Sequence, residues 1–427
     1  MYKETSRDLL KFIKNSPSCF HAVAEITKRL SENGFKELKE SDRWELCPGG
    51  YFTVRNNSSV IAFYIPEDHD LSVRITAAHS DSPTFKIKEN PEISVENKYI
   101  TLNTEKYGGM LCAPWFDRPL SVAGRIFVKG EASDGEGTGI RELMVNVDRD
   151  LLIIPNVAIH MNRNVNDGYK YDPQTDMLPL FAMGGEKGRF MRIIAESAGV
   201  DEKDILGHDL YLYNRAEGSI WGAEDEFVSS AKLDDLQCAY STLTGFIKGS
   251  KKKHISLCCV FDNEEVGSGT RQGAGSTFLY DVLMRICRGL NADYEDYLRM
   301  LADGIMLSAD NAHAVHPNHK ELTDPTNRVY INEGIVIKYN AQQKYCTDGF
   351  SSAFFKALCM KAEVPFQIFV NRSDMLGGST LGNISNTKVA LRSVDIGLPQ
   401  LAMHSPYETA GVKDTEYMIK AVTEFFD

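Results

Sequence analysis

From Ala231 to its end the chain alternates short apolar runs with helical stretches, and no other feature constrains the fold as strongly. Apolar runs fall at 256–261 (SLCCVF), 305–309 (IMLSA), 335–339 and 366–370. Helical stretches fall at 235–249, 277–290, 351–362 and 414–426, with a further apolar segment at 387–396. Strands and helices of these lengths in alternation predict a sheet with a parallel component and helices on both faces. The N-terminal part adds to it. Leu9, Leu10, Phe12 and Ile13 mark a first helix; a second runs from Cys19 to Ser31, with Ser18 as N-cap and Gly34 as its stop. YFTVR, VIAFYI and VRITAA (51–55, 60–65, 73–78) are strand-like, and the last ends abruptly in the polar corner His79-Ser80-Asp81-Ser82-Pro83.

Between Pro91 and Val228 the texture changes. Short strand-like pieces (ISVENKYITLNT, SVAGRIFVKG, LMVNVDRDLLIIP) are broken by Gly-rich turns such as DGEGTG at 134–139. This predicts an inserted, β-rich domain. The expected fold is α/β, a mixed sheet flanked by helices, with residues 1–90 and 229–427 in one discontinuous domain and 91–228 in the insertion.

Charge and cysteine usage then exclude whole classes. With 47 basic and 59 acidic residues the net charge is −12, so no global positive field exists to hold nucleic acid or anionic lipid. Nine cysteines without a C-x-x-C pair read as reduced thiols. The first residues lack an apolar leader and no run of 18 apolar residues follows, so the expectation is a cytoplasmic protein that crosses no membrane.

Loops beyond the carboxyl ends of strands frame the crevice of an open α/β sheet, which makes strand ends the place to look for chemistry. His79 and Asp81 follow VRITAA; Asp262, Glu264 and Glu265 follow SLCCVF; Asp310 follows IMLSA; His404 follows LAM. Asp234 and Asp235 stand in KLDD, just ahead of a helical stretch whose N-terminus accommodates negative charge. Singly these are turn formers, caps or solvated acids. Together they form a mixed nitrogen and oxygen set suited to zinc or a similar divalent ion. Two such ions need a shared carboxylate, for which Asp234 is the candidate. Asp81, two residues after His79, is placed to orient that imidazole. Of the Glu264–Glu265 pair, one can serve a metal and the other take the proton of a metal-activated water.

The segments AHSDSP, KLDD, DNEEVGS, SADNAHAVHPN and MHSPYE, in this order, resemble the M18 metallopeptidases, the aspartyl aminopeptidase family. YGG at 107–109, WFDRPLSVAGR at 115–125, PNVAIHMNR at 155–163 and DMLGGSTLG at 374–382 extend the resemblance over essentially the whole chain. It implies His79, Asp234, Glu265, Asp310 and His404 as metal ligands with Asp234 bridging, Glu264 as general base and Asp81 as the acid behind His79. It implies two divalent ions, zinc foremost, with manganese or cobalt as alternatives in the second site. The implied reaction is hydrolysis of the first residue, preferentially Asp or Glu, from peptides with a free N-terminus, through a water bridging the metals. The resemblance also implies that the insertion makes dimers, which assemble into dodecamers. His160 would reach the neighbouring active site and help stabilise the oxyanion, Lys338 would shape the pocket for an acidic side chain, and His313 is a pocket or interface candidate.

Other motifs are weaker. Pro317 breaks any helix that would align His313, His316 and His319. GSGTRQGAGST at 267–277 lacks the G-K-[ST] step of a phosphate loop, and Ser80 and Ser82 lack a relay. Alternatives are an aminopeptidase for neutral residues, an N-acyl amino acid hydrolase, or a non-catalytic, metal-stabilised assembly protein. Glu264 beside a complete ligand set weighs against the last, because a purely structural site needs no base.

Overall fold

The computed structural model describes residues 1–130 and 139–427, so most of the Gly-rich turn expected at 134–139 lies outside the described residues. The chain opens with α1 (Tyr2–Lys14) and α2 (Cys19–Glu32). In α2, Phe20, Val23, Ile26 and Leu30 recur at helical spacing and are all buried. Ser18 is the N-cap in extended conformation, and Gly34 leaves the helix at φ +83°, a left-handed turn that glycine adopts without strain. Next come β1 (Lys36–Glu37), β2 (Gly49–Arg55), β3 (Ser59–Ile65) and β4 (Asp70–His79).

A run of mainly antiparallel strands follows: β5 (Thr84–Val95), β6 (Tyr99–Tyr107), β7 (Leu120–Lys129), β8 (Ile140–Asn146), β9 (Leu180–Met183) and β10 (Ile205–Asn214). The helix α3 (Arg189–Ala198) interrupts it. Beyond lie β11 (Ser219–Trp221), β12 (Phe227–Ser230), α4 (Leu233–Lys248), β13 (His254–Phe261), α5 (Phe278–Gly289), α6 (Tyr294–Ala302), β14 (Ile305–Ala309) and β15 (Ala312–His313). The chain closes with β16 (Ile335–Tyr339), α7 (Gly349–Lys361), β17 (Phe366–Val370), α8 (Leu381–Ser385), β18 (Arg392–Gly397), β19 (Pro399–Leu401), β20 (Glu408–Gly411) and α9 (Asp414–Phe425).

Contacts divide the chain into two units. The first comprises residues 1–81, 218–403 and 408–427, and the second residues 82–217 and 404–407. In the first, a nine-stranded mixed sheet runs β1-β2-β3-β13-β4-β14-β18-β16-β17. Its centre, β13, β4, β14 and β18, is parallel. Those strands read as near-continuous apolar runs because both faces are covered. Successive residues point to opposite faces, so Cys258 joins the core under α4 and α9 while Cys259 joins the core under α5 and α6. A second sheet in this unit runs β11-β12-β20-β19-β15.

The second unit is a six-stranded antiparallel sheet, β8-β7-β10-β5-β6-β9, with its own core of Phe85, Trp115, Leu210 and Leu212. Phe190 and Ile194, one turn apart on α3, enter that core. Its boundaries differ from the expected 91 and 228. β5 already pairs with β6 from Thr84, whereas β11 pairs with β12 and β12 with β20, all within the first unit. Both stretches have β texture, so local pattern alone does not separate them.

Candidate metal centre

Because β4, β13 and β14 are parallel, their carboxyl ends open on one edge of the sheet. His79 is the last residue of β4, Glu264 and Glu265 lie in a single 3-10 turn beyond β13, and Asp310 directly follows β14. Asp234 and Asp235 begin α4 with non-helical dihedral angles, across a cis peptide bond. The Asp234 N–H donates to Glu408 Oε2 at 3.0 Å, and the His79 N–H donates to Asp235 Oδ2 at 3.1 Å.

These elements bring the side chains together. His79 Nε2 lies 3.5 Å from Asp234 Oδ1 and 4.0 Å from both Asp235 Oδ2 and Asp310 Oδ1. One ligand atom from each of His79, Asp234, Asp235 and Asp310 fits within 4.8 Å of the others, and the same holds for His79, Glu264 and Glu265. His79, Asp234, Asp235 and Asp310 are buried. The other ring nitrogen, His79 Nδ1, faces the Asp81 carbonyl at 3.1 Å and Asp81 Oδ1 at 3.4 Å. Asp81 also accepts the N–H groups of Glu264 and Glu265, each at 3.2 Å. One carboxylate thus aims the imidazole and anchors the turn carrying both glutamates.

The electrostatics follow from carboxylates concentrated in a largely buried site. Burial, with neighbouring carboxylates, pushes Glu264 up to about 8 and holds Glu265 and Asp235 well above the usual carboxylate range. Burial also raises Asp310, opposed by Lys338. Burial alone would lower the pKa of His79, but Asp235, Asp234, Asp81 and Glu264 hold it well above its ordinary value. An imidazole and carboxylate oxygens at this spacing fit a hard or borderline divalent cation, whose charge would relieve that repulsion.

The remaining expected residues fall as follows. Lys338, near the end of β16, is buried, with Nζ 3.5 Å from Asp310 Oδ2 and 5.4 Å from the Tyr345 ring centroid. Despite burial it stays protonated, because Asp310 raises its pKa. His313 is exposed on β15, with its ring 6.1 Å from that of Phe369. His160 lies in an exposed turn of the second unit. His404 is half-buried in the 404–407 segment grouped with that unit; it has φ +67°, and its carbonyl accepts the Leu111 N–H at 3.1 Å. Asp235 is more deeply involved than its place beside Asp234 in the sequence suggests, with its carboxylate at the His79 backbone and ring. The only signal was the doubled acid in KLDD, which a helix N-terminus already explains.

The family described as "Aminopeptidase I zinc metalloprotease (M18)" matches residues 12–426. A "Probable M18 family aminopeptidase 2" of Clostridium novyi (strain NT) is 48% identical over 429 residues, covering 99% of this chain and 98% of that protein. A protein of the same description from Pseudomonas entomophila (strain L48) is 38% identical, covering 98% and 97%. Among solved structures, a chain in "Cryo-EM structure of the Ape4 and Nbr1 complex" superposes with a TM-score of 0.95 at 33% identity, covering 100% of this chain and 86% of that one. With the sheet, the clustered carboxylates and these full-length matches in agreement, the chain belongs to the M18 aminopeptidases, a family of zinc metallopeptidases.

Proposed function

We propose that this M18 aminopeptidase removes the first residue from peptides with a free N-terminus and prefers Asp or Glu there. The observation that carries the reading is the convergence of His79, Asp234, Asp235, Asp310, Glu264 and Glu265 at one sheet edge. In this reading His79, Asp234, Glu265, Asp310 and His404 hold two divalent ions, zinc foremost, with Asp234 shared. Such ions supply Lewis acidity that polarises a carbonyl and acidifies water. Glu264 takes a proton from the attacking water and returns it to the leaving amine. A carboxyl group in a half-buried turn, its backbone N–H held by Asp81, is placed for both transfers. Asp81 keeps the imidazole of His79 and the Glu264 backbone in place.

Lys338 supplies a buried positive charge next to Asp310 and is assigned the acidic preference. His313 is assigned to the pocket rim. The inserted unit is assigned to self-association, with His160 acting at the oxyanion of a neighbouring subunit. The exposed apolar residues Val157, Ile159 and Met161, which surround His160 in one turn, suit a surface that a second copy covers. All nine cysteines are free thiols, and no described helix is long and apolar enough to cross a membrane; both fit the cytoplasmic assignment.

The test is Glu264→Gln with kinetics on Asp-, Glu-, Leu- and Ala-peptides. The variant should keep its metal and lose about 10²–10⁴-fold in kcat, and near-normal turnover would sink the assignment of the base.

A further inference from the structure

Next to Asp310, four polar atoms converge on one uncharged side chain. Asn311 is 2% exposed. Its Nδ2 faces the Leu233 carbonyl at 3.0 Å, Gln237 Oε1 at 3.2 Å and Gln400 Oε1 at 3.0 Å. Its Oδ1 accepts from Cys238 Sγ at 3.0 Å. Leu233, Gln237 and Cys238 belong to the first turns of α4, the element that carries Asp234 and Asp235, whereas Gln400 lies in β19. The backbone on either side is pinned as well: the Asp310 N–H donates to Ile396 O at 3.0 Å and the Ala312 N–H to Leu398 O at 2.9 Å. Gln237 passes the connection on, donating from Nε2 to Thr415 Oγ1 at 3.0 Å.

We infer that Asn311 is a positioning residue of the metal centre, tying the strand end that bears Asp310 to the backbone immediately before Asp234 and so fixing how far apart these two carboxylates stand. The inference rests on the metal-centre reading above. An amide suits the position chemically. Three oxygens face its nitrogen, so a carboxylate there would set lone pairs against lone pairs, and an apolar side chain would leave those buried acceptors without their donor. Asn311 acts through Asp310 and Asp234, so its loss should appear first in how tightly the site holds metal.

The experiment is a competition titration of zinc against a chromophoric chelator, using the chelator-stripped full-length protein. Asn311→Ala should bind zinc about 10- to 100-fold more weakly than the native chain. Ile305→Val, a packing change at the far end of the same strand, should bind it unchanged. Excess zinc should restore much of kcat in Asn311→Ala with KM for the peptide little altered, a rescue that general loosening of the fold would not give. Native affinity in Asn311→Ala, with the native chain itself binding zinc, overturns the inference alone. Failure of the native chain to bind zinc overturns the metal-centre reading beneath it. Should Asn311→Ala not fold, Gln400→Met removes one of the three acceptors; it should weaken zinc binding about threefold or more, and an unchanged affinity overturns the inference.

Discussion

Replacing Asp81 with Asn asks how firmly one carboxylate holds the catalytic turn. Asp81 Oδ1 accepts the Glu264 N–H and lies 3.4 Å from His79 Nδ1, while Oδ2 accepts the Glu265 N–H. An asparagine keeps one oxygen, so one backbone N–H loses its acceptor and meets an amide N–H₂ instead. The imidazole suffers less, because the Asp81 carbonyl at 3.1 Å remains. A hydrogen bond to a charged group is worth about 1.5–3 kcal/mol net. Asp81 is 3% exposed, so solvent screens little of that. If the loss falls on the transition state, about 1.4 kcal/mol per factor of ten gives a kcat roughly 10- to 150-fold lower. Steady-state kinetics on a peptide with an acidic first residue, at saturating zinc and with metal content measured, is the assay. A kcat within about twofold of native, at equal metal content, would refute the claim that Asp81 holds the glutamates in place.

Other perturbations probe the specificity pocket, the buried acids and the inserted unit. Lys338→Met should lower kcat/KM for Asp- and Glu-peptides relative to Leu-peptides by about tenfold or more; an equal loss on every substrate would remove Lys338 from specificity. In the metal-free protein, burial lifts Glu264 from the usual 4.5 to about 8, so the folded state binds that proton more tightly than the unfolded chain. Its stabilising contribution is therefore full below about pH 4.5 and is lost as pH rises through about 8, and His79, held above 6.5, runs the same way. The Tm of zinc-free protein should fall from about pH 5 to about pH 8, with a smaller fall once zinc is bound. A zinc-free Tm that climbs over that interval contradicts the buried, proton-hungry cluster. His160→Ala should lower kcat by about tenfold or more without changing zinc content; native kcat would exclude His160 from the reaction.

Much of this architecture is legible in local pattern. The apolar runs ending at His79, Phe261 and Ala309 are strands, and their polar successors gather at one edge because those strands are parallel. Parallel pairing itself is invisible locally; only helix-length connections imply it. The extent of the insertion is hard to read for a related reason: β12 pairs with β20, far along the chain, and texture carries no information about a partner so distant. The helix α3 was hidden because its apolar face needs only Phe190, Ile194 and Ala195 within a β-rich stretch. Asn311 gave no signal at all, since an uncharged amide beside an aspartate reads as an ordinary turn until its three acceptors are seen together.

Stepwise return of zinc to the chelator-stripped protein, following metal content and release of the first residue from Asp-, Glu- and Leu-peptides in the same samples, tests the two-ion aminopeptidase reading as a whole. Activity should be absent without metal, rise to a plateau at about two ions per chain, and be highest on the acidic peptides. Full metal occupancy without release of a first residue from any peptide, or undiminished release from the stripped protein, would contradict that reading.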